Sequence, residues 1–327
     1  MPEIRGSVLG DVFTSTEVEG EVFYGRRGGD TLLFNGDMTD RFFGGRGQDT
    51  FVWNTRRPYE GESSAEGFEF VDFAGGRGLD TVEFRLEVAA DVMDIDLAAF
   101  HARFSGAEVA AVNLSFQSSQ ADTPPRDFSV EGTMSADSVL VHNRVGENLT
   151  ILTRAGRDTV TIANSSQTEE LLVKTGWGND IVRNLAGTDD SQIFTGRGRD
   201  KVMVDGETSG FYHLGRGRDL ITFSYSTKFA PDTVHTGKGR DVIEFTSYPT
   251  GLSAAHILDF DTARDRIRLD FETFGGDIFF AWDNEGAEEG DAELSISESG
   301  DAVYVDGVQF LSFEQPVELT EDNFLFV

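Results

Sequence analysis

Short runs in which apolar and polar residues alternate recur along the chain, and glycine-rich turns precede the clearest of them. Lys201-Val202-Met203-Val204 follows TGRGRD, Leu220-Ile221-Thr222-Phe223 follows LGRGRD, and Val242-Ile243-Glu244-Phe245 follows TGKGRD. Alternation sends Val202 and Val204 to one face of a strand, then Ile221 and Phe223, then Ile243 and Phe245. Strands this short do not fold alone, but stacked as parallel rungs they bury a continuous apolar column. Glycine supplies the positive φ and close backbone approach that the intervening turns need. No long stretch sustains a helical period. The pattern predicts an all-β chain whose short strands stack as the parallel rungs of a solenoid.

The spacing of the turns sharpens this expectation. One series reads GRRGGDTLL (25–33), GGRGQDTFV (44–52) and GGRGLDTVE (75–83). A second reads TRAGRDTVT (153–161), TGWGNDIVR (175–183), TGRGRDKVM, LGRGRDLIT and TGKGRDVIE. The aspartates of the second series, Asp158, Asp180, Asp200, Asp219 and Asp241, lie 22, 20, 19 and 22 residues apart. Weaker echoes fall about halfway, at Glu169, Asp190, Gly210 and Asp232, and Asp40 falls between Asp30 and Asp49. A coil of two half-turns, each a turn plus a strand, accounts for both intervals. On this basis residues 1–85 and 131–250 are solenoid coils and 251–327 is a C-terminal β cap. Residues 86–130 are degenerate coils or an inserted element, with DLAAFHARF a possible short helix and EVAAVNLSF a strand. The segment 54–67 is a second insertion.

Composition narrows the chemistry. The 327 residues carry 58 acidic and 27 basic side chains, a net charge of −31. Phosphate-rich partners would be repelled, which argues against nucleic acid and anionic membrane. No cysteine is present, and the five histidines lack zinc-ligand spacing, so oxygen donors remain and they suit calcium. No apolar run has signal-peptide length or is long enough to span a bilayer. The 28 phenylalanines fit a core built from stacked ladders.

Residues 44–52 and 75–83 match every fixed position of the nonapeptide G-G-x-G-x-D-x-U-x, where U is a large apolar residue. The later copies keep Gly-x-Gly-x-Asp but begin with Thr or Leu, GRRGGD places Arg26 at the second glycine, and TRAGRD lacks both leading glycines. The chain thus resembles the RTX, or haemolysin-type, calcium-binding proteins, and the resemblance implies a parallel β-roll or β-helix solenoid. The resemblance implies Ca2+ held between successive coils by aspartate carboxylates and turn carbonyls. The implied ligand aspartates are Asp30, Asp49, Asp80, Asp158, Asp180, Asp200, Asp219 and Asp241. The implied turn glycines are Gly44, Gly45, Gly47, Gly75, Gly76, Gly78, Gly176, Gly178, Gly196, Gly198, Gly215, Gly217, Gly237 and Gly239. Calcium would run mainly along one edge, with Asp40 an exception on the other; the alternative is a metal-free solenoid with the same tight turns.

The resemblance also implies export by type I secretion machinery, with the acidic-then-apolar LTEDNFLFV as an uncleaved signal, or else simply a final strand. Folding would follow calcium binding outside the cell, in a structural, surface-layer or adhesive role with cell-surface or matrix polysaccharide as a partner. No HExxH or GxSxG motif is present, and the alternative is a polysaccharide-active solenoid enzyme. HILDFDTARDRIRLD (256–270) reads as the last coil, with Asp259, Asp261 and Asp265 as further carboxylates. Arg197, Arg199, Arg216, Arg218 and Arg240 admit three readings: solvated surface residues, ion pairs with acidic neighbours, or guanidinium in place of calcium.

Overall fold

The computed structural model describes residues 2–16, 20–34, 41–55, 72–77, 79–86, 92–96, 108–116, 127–132, 134, 136–142, 148–163, 170–185, 190–205, 209–224, 231–247, 255–270, 278–280 and 292–326. They form an all-β solenoid of mostly parallel sheets, divided into two units, Met1–Glu169 and Glu170–Val327.

The second unit shows the construction most plainly. The strands that follow the turns, Ile181–Asn184, Lys201–Val204, Leu220–Phe223, Val242–Phe245 and Arg266–Leu269, pair in parallel register. The strands that enter the turns, Glu170–Lys174, Ser191–Phe194, Gly210–His213, Asp232–His235 and Ala255–Ile257, form a second parallel ladder. Between the two ladders the turns themselves pair as a narrow third sheet, Trp177–Gly178, Arg197–Gly198, Arg216–Gly217 and Lys238–Gly239.

Alternation makes the core. Val182, Val202, Ile221, Ile243 and Ile267 stack inward from the first ladder. Val173, Ile193, Tyr212, Val234 and Ile257 do so from the second. Phe223 and Phe245 stack with ring centroids 5.4 Å apart, and Phe310 closes edge-on against Phe245 at 5.2 Å. Each inward side chain therefore covers its neighbours one coil away, and no coil has a core of its own.

In the first unit, Val12–Thr14, Thr31–Phe34, Thr50–Thr55, Leu79–Leu86, Glu108–Phe116, Ser138–His142 and Thr159–Ala163 form one parallel ladder. In the early coils the entering strand and the turn run together as Val22–Arg27, Arg41–Arg46 and Asp72–Arg77. The core here is aromatic: Phe13 meets Phe23 at 5.7 Å and Phe42 at 6.0 Å, and Phe34 stacks on Phe51 at 5.7 Å. EVAAVNLSF is a strand, as its alternation predicts, with a bulge between Val109 and Ala111. The helix considered for DLAAFHARF lies outside the described residues, except that Asp96 ends the strand Val92–Asp96.

The C-terminal end departs from the parallel plan. Ala292–Ile296, Ala302–Val305 and Val308–Phe313 are antiparallel neighbours, and the last of them returns to pair parallel with Ala255–Ile257. Phe324–Phe326 adds a rung beside Arg266–Leu269, so most of LTEDNFLFV is built into the solenoid end. An open last rung would invite edge pairing, and these strands cover it.

The turns depend on glycine at one point above all. Gly198 has φ 156°, and an added Cβ would fall onto the carbonyl oxygen of Gly178 in the preceding coil. Gly198→Ala should therefore lower stability by about 2–4 kcal/mol, read from urea unfolding, because both the φ and the contact are backbone constraints. Arg199→Ala, one residue away on an exposed side chain, should stay within about 0.5 kcal/mol.

Candidate functional site: an aspartate ladder beneath the turns

Each turn is six residues long. Position two needs a left-handed backbone, and Gly45 (φ 106°), Gly176 (89°), Gly196 (91°), Gly215 (94°) and Gly237 (89°) provide it. Arg26 (82°) and Arg154 (68°) hold the same conformation without glycine. Position four is again glycine, including Gly47, Gly178 and Gly217 with φ of 150°, 155° and 157°, and Gly239 completes the column beside Gly217. Positions three and five face solvent. Position six is the aspartate, and it faces inward.

Those aspartates are chained from coil to coil. The backbone N–H of Asp180 donates to Asp200 Oδ1 at 2.9 Å, Asp200 N–H to Asp219 at 2.9 Å, and Asp219 N–H to Asp241 at 2.8 Å. Asp241 N–H continues the chain to Asp265 at 3.0 Å. In the first unit Asp11 donates to Asp30 at 2.8 Å, Asp30 to Asp49 at 2.9 Å, and Asp137 to Asp158 at 2.9 Å. The strand that follows is fixed by the same residues, since Lys201, Leu220 and Val242 donate to the carbonyls of Asp180, Asp200 and Asp219 at 2.8–2.9 Å.

The second carboxylate oxygen is the unusual one. Oδ2 of Asp30, Asp219 and Asp241 is buried and accepts no hydrogen bond, whereas the buried Asp200 carboxylate also has the Thr195 hydroxyl beside it, which opposes the effect of burial. Burial raises the pKa of Asp219 to about 8 and of Asp200 and Asp241 to about 7. It raises those of Asp30 and Asp265 as well. The N–H from the preceding coil opposes the shift, and the neighbouring ladder carboxylate adds to it. A buried carboxylate of this kind either takes up a proton or needs a cation.

Position one explains how the second series departs from Gly-Gly. In the first unit Gly25 and Gly44 lie so close to Asp30 and Asp49 that an added Cβ would meet Oδ2. In the second unit the position holds buried Thr175, Thr195, Leu214 and Thr236. The Thr175 hydroxyl donates to the Thr195 carbonyl at 3.1 Å, and the Thr195 hydroxyl to that of Leu214 at 2.8 Å. Threonine thus adds a rung of hydrogen bonds where the early coils of the first unit keep a gap, and Thr153 already fills that position at 0% exposure.

The expected residues fall into place unevenly. Asp30, Asp49, Asp158, Asp180, Asp200, Asp219 and Asp241 are all buried ladder members. Asp80 lies on the strand Leu79–Leu86 and Gly76 opposite Gly45, but the Asp80 side chain, Gly78, Asp40 and Glu169 are outside the described residues. Asp11, Asp137 and Asp265 are ladder members that the glycine pattern does not reveal. Two of them share a narrower signal: Gly6 and Gly132 stand five residues before Asp11 and Asp137, and a Cβ on either would meet that Oδ2, whereas Asp265 has Phe260 at that place.

Asp190 misses the echo register by one residue. It sits exposed at φ 52°, and Ser191 takes the paired position opposite Gly210. Asp232 does occupy that column on the entering ladder, where it accepts Gly210 N–H at 2.7 Å. Asp259 closes the final coil by accepting the N–H groups of Thr236 and Gly237 at 2.7 and 2.9 Å.

The arginines point away from the ladder. Arg197, Arg199, Arg216, Arg218 and Arg240 are exposed, and no guanidinium bonds Oδ2 of Asp200, Asp219 or Asp241. Ion pairs among the described residues involve other side chains, such as Arg268–Glu244 at 3.0 Å and Arg264–Asp261 at 3.4 Å. Of the three readings for these arginines, neither guanidinium substitution nor pairing with neighbouring acids is realised among the described residues.

Neither a protein-family model nor a curated protein matches the chain. No helix among the described residues is long and apolar enough to cross a membrane. Nor do three or more His, Asp or Glu side chains converge among them as a metal-binding group.

The ladder predicts a pH response in metal-free buffer. A raised pKa means that the folded state binds more protons than the unfolded state. The stability gained by protonation is therefore fully present below the ordinary aspartate range and is lost as pH rises through about 7–8. The urea midpoint of the chelated protein should fall between about pH 4 and about pH 8 and level off above that. An unchanged midpoint would mean that these carboxylates are not buried as charges.

Proposed function

We propose that the chain is a calcium-binding solenoid of the RTX type, exported by type I machinery and folded by calcium outside the cell. The single observation that carries this reading is the set of buried Oδ2 atoms without hydrogen-bond partners, at Asp219 and Asp241 in the second unit and at Asp30 in the first. They are hard oxygen donors carrying negative charge in a setting where burial opposes ionisation, and a hard cation removes that conflict. The turn carbonyls of Gly176, Gly196 and Gly215 each accept one N–H, from Arg197, Arg216 and Lys238, at 2.7–2.8 Å. A carbonyl oxygen retains a second lone pair after one hydrogen bond, so the donor set suits calcium.

Asp200, Asp219 and Asp241 would hold the ion with turn carbonyls of Gly176, Gly178, Gly196, Gly198, Gly215, Gly217, Gly237 and Gly239. Calcium supplies charge compensation. The chain's own residues do the rest: Oδ1 fixes the backbone of the coil before, and the strand registers follow from it. Sites of this type work at weak extracellular affinity, about 10⁻⁴–10⁻³ M, so the coils stay loose where calcium is scarce. The role we assign is structural and adhesive, at a cell surface or in a matrix, and not catalytic.

Calorimetric titration and far-UV circular dichroism test this reading together. Millimolar calcium should bind at several sites per chain and increase the β signal of the chelated protein. Asp219→Asn keeps an oxygen to accept Asp200 N–H but removes the charge. It should lower the calcium stoichiometry and flatten the pH response of the chelated chain. A chelated protein that is already fully folded and gives no calcium heat would instead be the metal-free solenoid, held by its hydrogen-bond ladder alone.

A further inference from the structure

The outer face of the second unit's turn sheet carries a row of cations in register. Arg197 lies opposite Arg216, and Arg216 opposite Lys238. Two residues along each turn, Arg199, Arg218 and Arg240 form a parallel row. All six side chains are exposed, and none makes an ion pair among the described residues. Trp177 heads the first row, opposite Arg197. It is 64% exposed, and the Arg197 guanidinium lies 5.3 Å from its ring centre.

This arrangement is costly unless something meets it. Like charges directly opposite in a ladder repel. The chain spends six of its 27 basic residues on three successive rungs while carrying −31 overall. An exposed tryptophan is likewise a large apolar surface left in water. Positions three and five are not fixed by the fold, because other turns place Asn179 and Ala155 there. The rows end at the acidic turn with Asp259 and Asp261.

We propose that this stripe binds an acidic polysaccharide. Rungs of a parallel sheet repeat about every 4.8 Å. A pyranose ring extended along its glycosidic axis has nearly the same length, so a polyuronate would present a carboxylate to each basic rung in turn. Trp177 would stack on a sugar face at the end of the row, where the ring's C–H bonds meet the aromatic π surface. The chain's acidity selects against wider polyanions. Charge is screened beyond roughly 8 Å at physiological salt, so a thin chain on the stripe feels the cations first, whereas a nucleic acid would set further phosphates against the acidic remainder. The proposal rests on the adhesive reading above and gives it a site; it requires the folded second unit, and calcium matters to it only as far as that fold depends on calcium.

The test titrates a defined galacturonate hexamer into the full-length protein by calorimetry, in calcium and in chelator, beside maltohexaose and a double-stranded DNA oligomer. The galacturonate hexamer should bind, maltohexaose should not, and DNA should bind more weakly. Arg216→Ser with Arg218→Ser should weaken hexamer binding at least about tenfold, and raising salt should weaken it further. Trp177→Ala should weaken it while leaving the salt dependence in place, a split that a purely electrostatic patch would not give. If the double variant loses its β signal, Arg197→Gln with Arg240→Gln serves the same purpose. Absence of hexamer binding by a folded chain overturns the proposal, as does unchanged affinity in the folded variants or tighter binding of DNA. A chain that binds hexamer without taking up calcium leaves this proposal standing and overturns only the calcium reading, and the converse result does the opposite.

Discussion

The hydrogen bond from an aspartate's backbone N–H to the aspartate carboxylate of the next coil is the constraint from which the other features follow. At each turn the chain reverses direction and must leave the N–H at the sixth position facing inward, where no strand partner is in line to accept it. The carboxylate one coil on supplies the acceptor, at 2.8–3.0 Å throughout the second unit. One bond thereby sets the register of every strand that follows a turn. The coil length can still vary, since the ladder bonds span 19, 20, 22 and 24 residues and the excess is taken up away from the turn. The same bond buries a charge, so the element that fixes the fold also creates its main electrostatic problem.

Steric demands around that carboxylate decide which residues a turn accepts. Gly25 and Gly44 are required where Oδ2 leans over position one. Thr195 is accepted where its hydroxyl finds the Leu214 carbonyl at 2.8 Å. Leu214, lying buried at the same position, shows that polarity there is optional. The fixed parts of the motif are the position-four backbone and the aspartate, because a Cβ at Gly198 or Gly217 would enter the carbonyl of the coil before. Arg26 and Arg154 mark where the left-handed position two has been filled at a conformational cost of about 1–2 kcal/mol relative to an unstrained site.

These mechanics explain what could be read from the sequence. Val202, Ile221 and Ile243 were legible as a core column because alternation and a near-constant period both report burial. Asp200, Asp219 and Asp241 were legible because glycines flank them. Asp11, Asp137 and Asp265 were not, because their turns GSVLGD, GTMSAD and FDTARD have no glycine at positions two and four and so lack the visible mark. Asp190 misled because charge was matched where the ladder repeats burial, and Ser191 is the residue that pairs with Gly210. The antiparallel strands Ala302–Val305 and Val308–Phe313 carry ordinary alternation, which does not encode strand direction. That a carboxylate oxygen lacks a partner is a statement about depth and geometry, and no one-dimensional pattern contains it.

The turn divides its residues into two independent populations. Positions one and six face the interior, and there the ladder and the packing leave little choice. Positions three and five face water, and the backbone between them and the carboxylates keeps the guanidinium groups from neutralising the charges beneath. A chain under pressure only to offset its own acidity would place its arginines beside carboxylates, as Arg268 is placed beside the half-buried Glu244. Here the cations are aligned with one another on three consecutive rungs, with an exposed tryptophan at the head of the row. Folding alone gives no advantage to that alignment, since in-register like charges oppose it. The proposed acidic polysaccharide would supply the advantage, because its negative charges would repeat near the pitch of the coils.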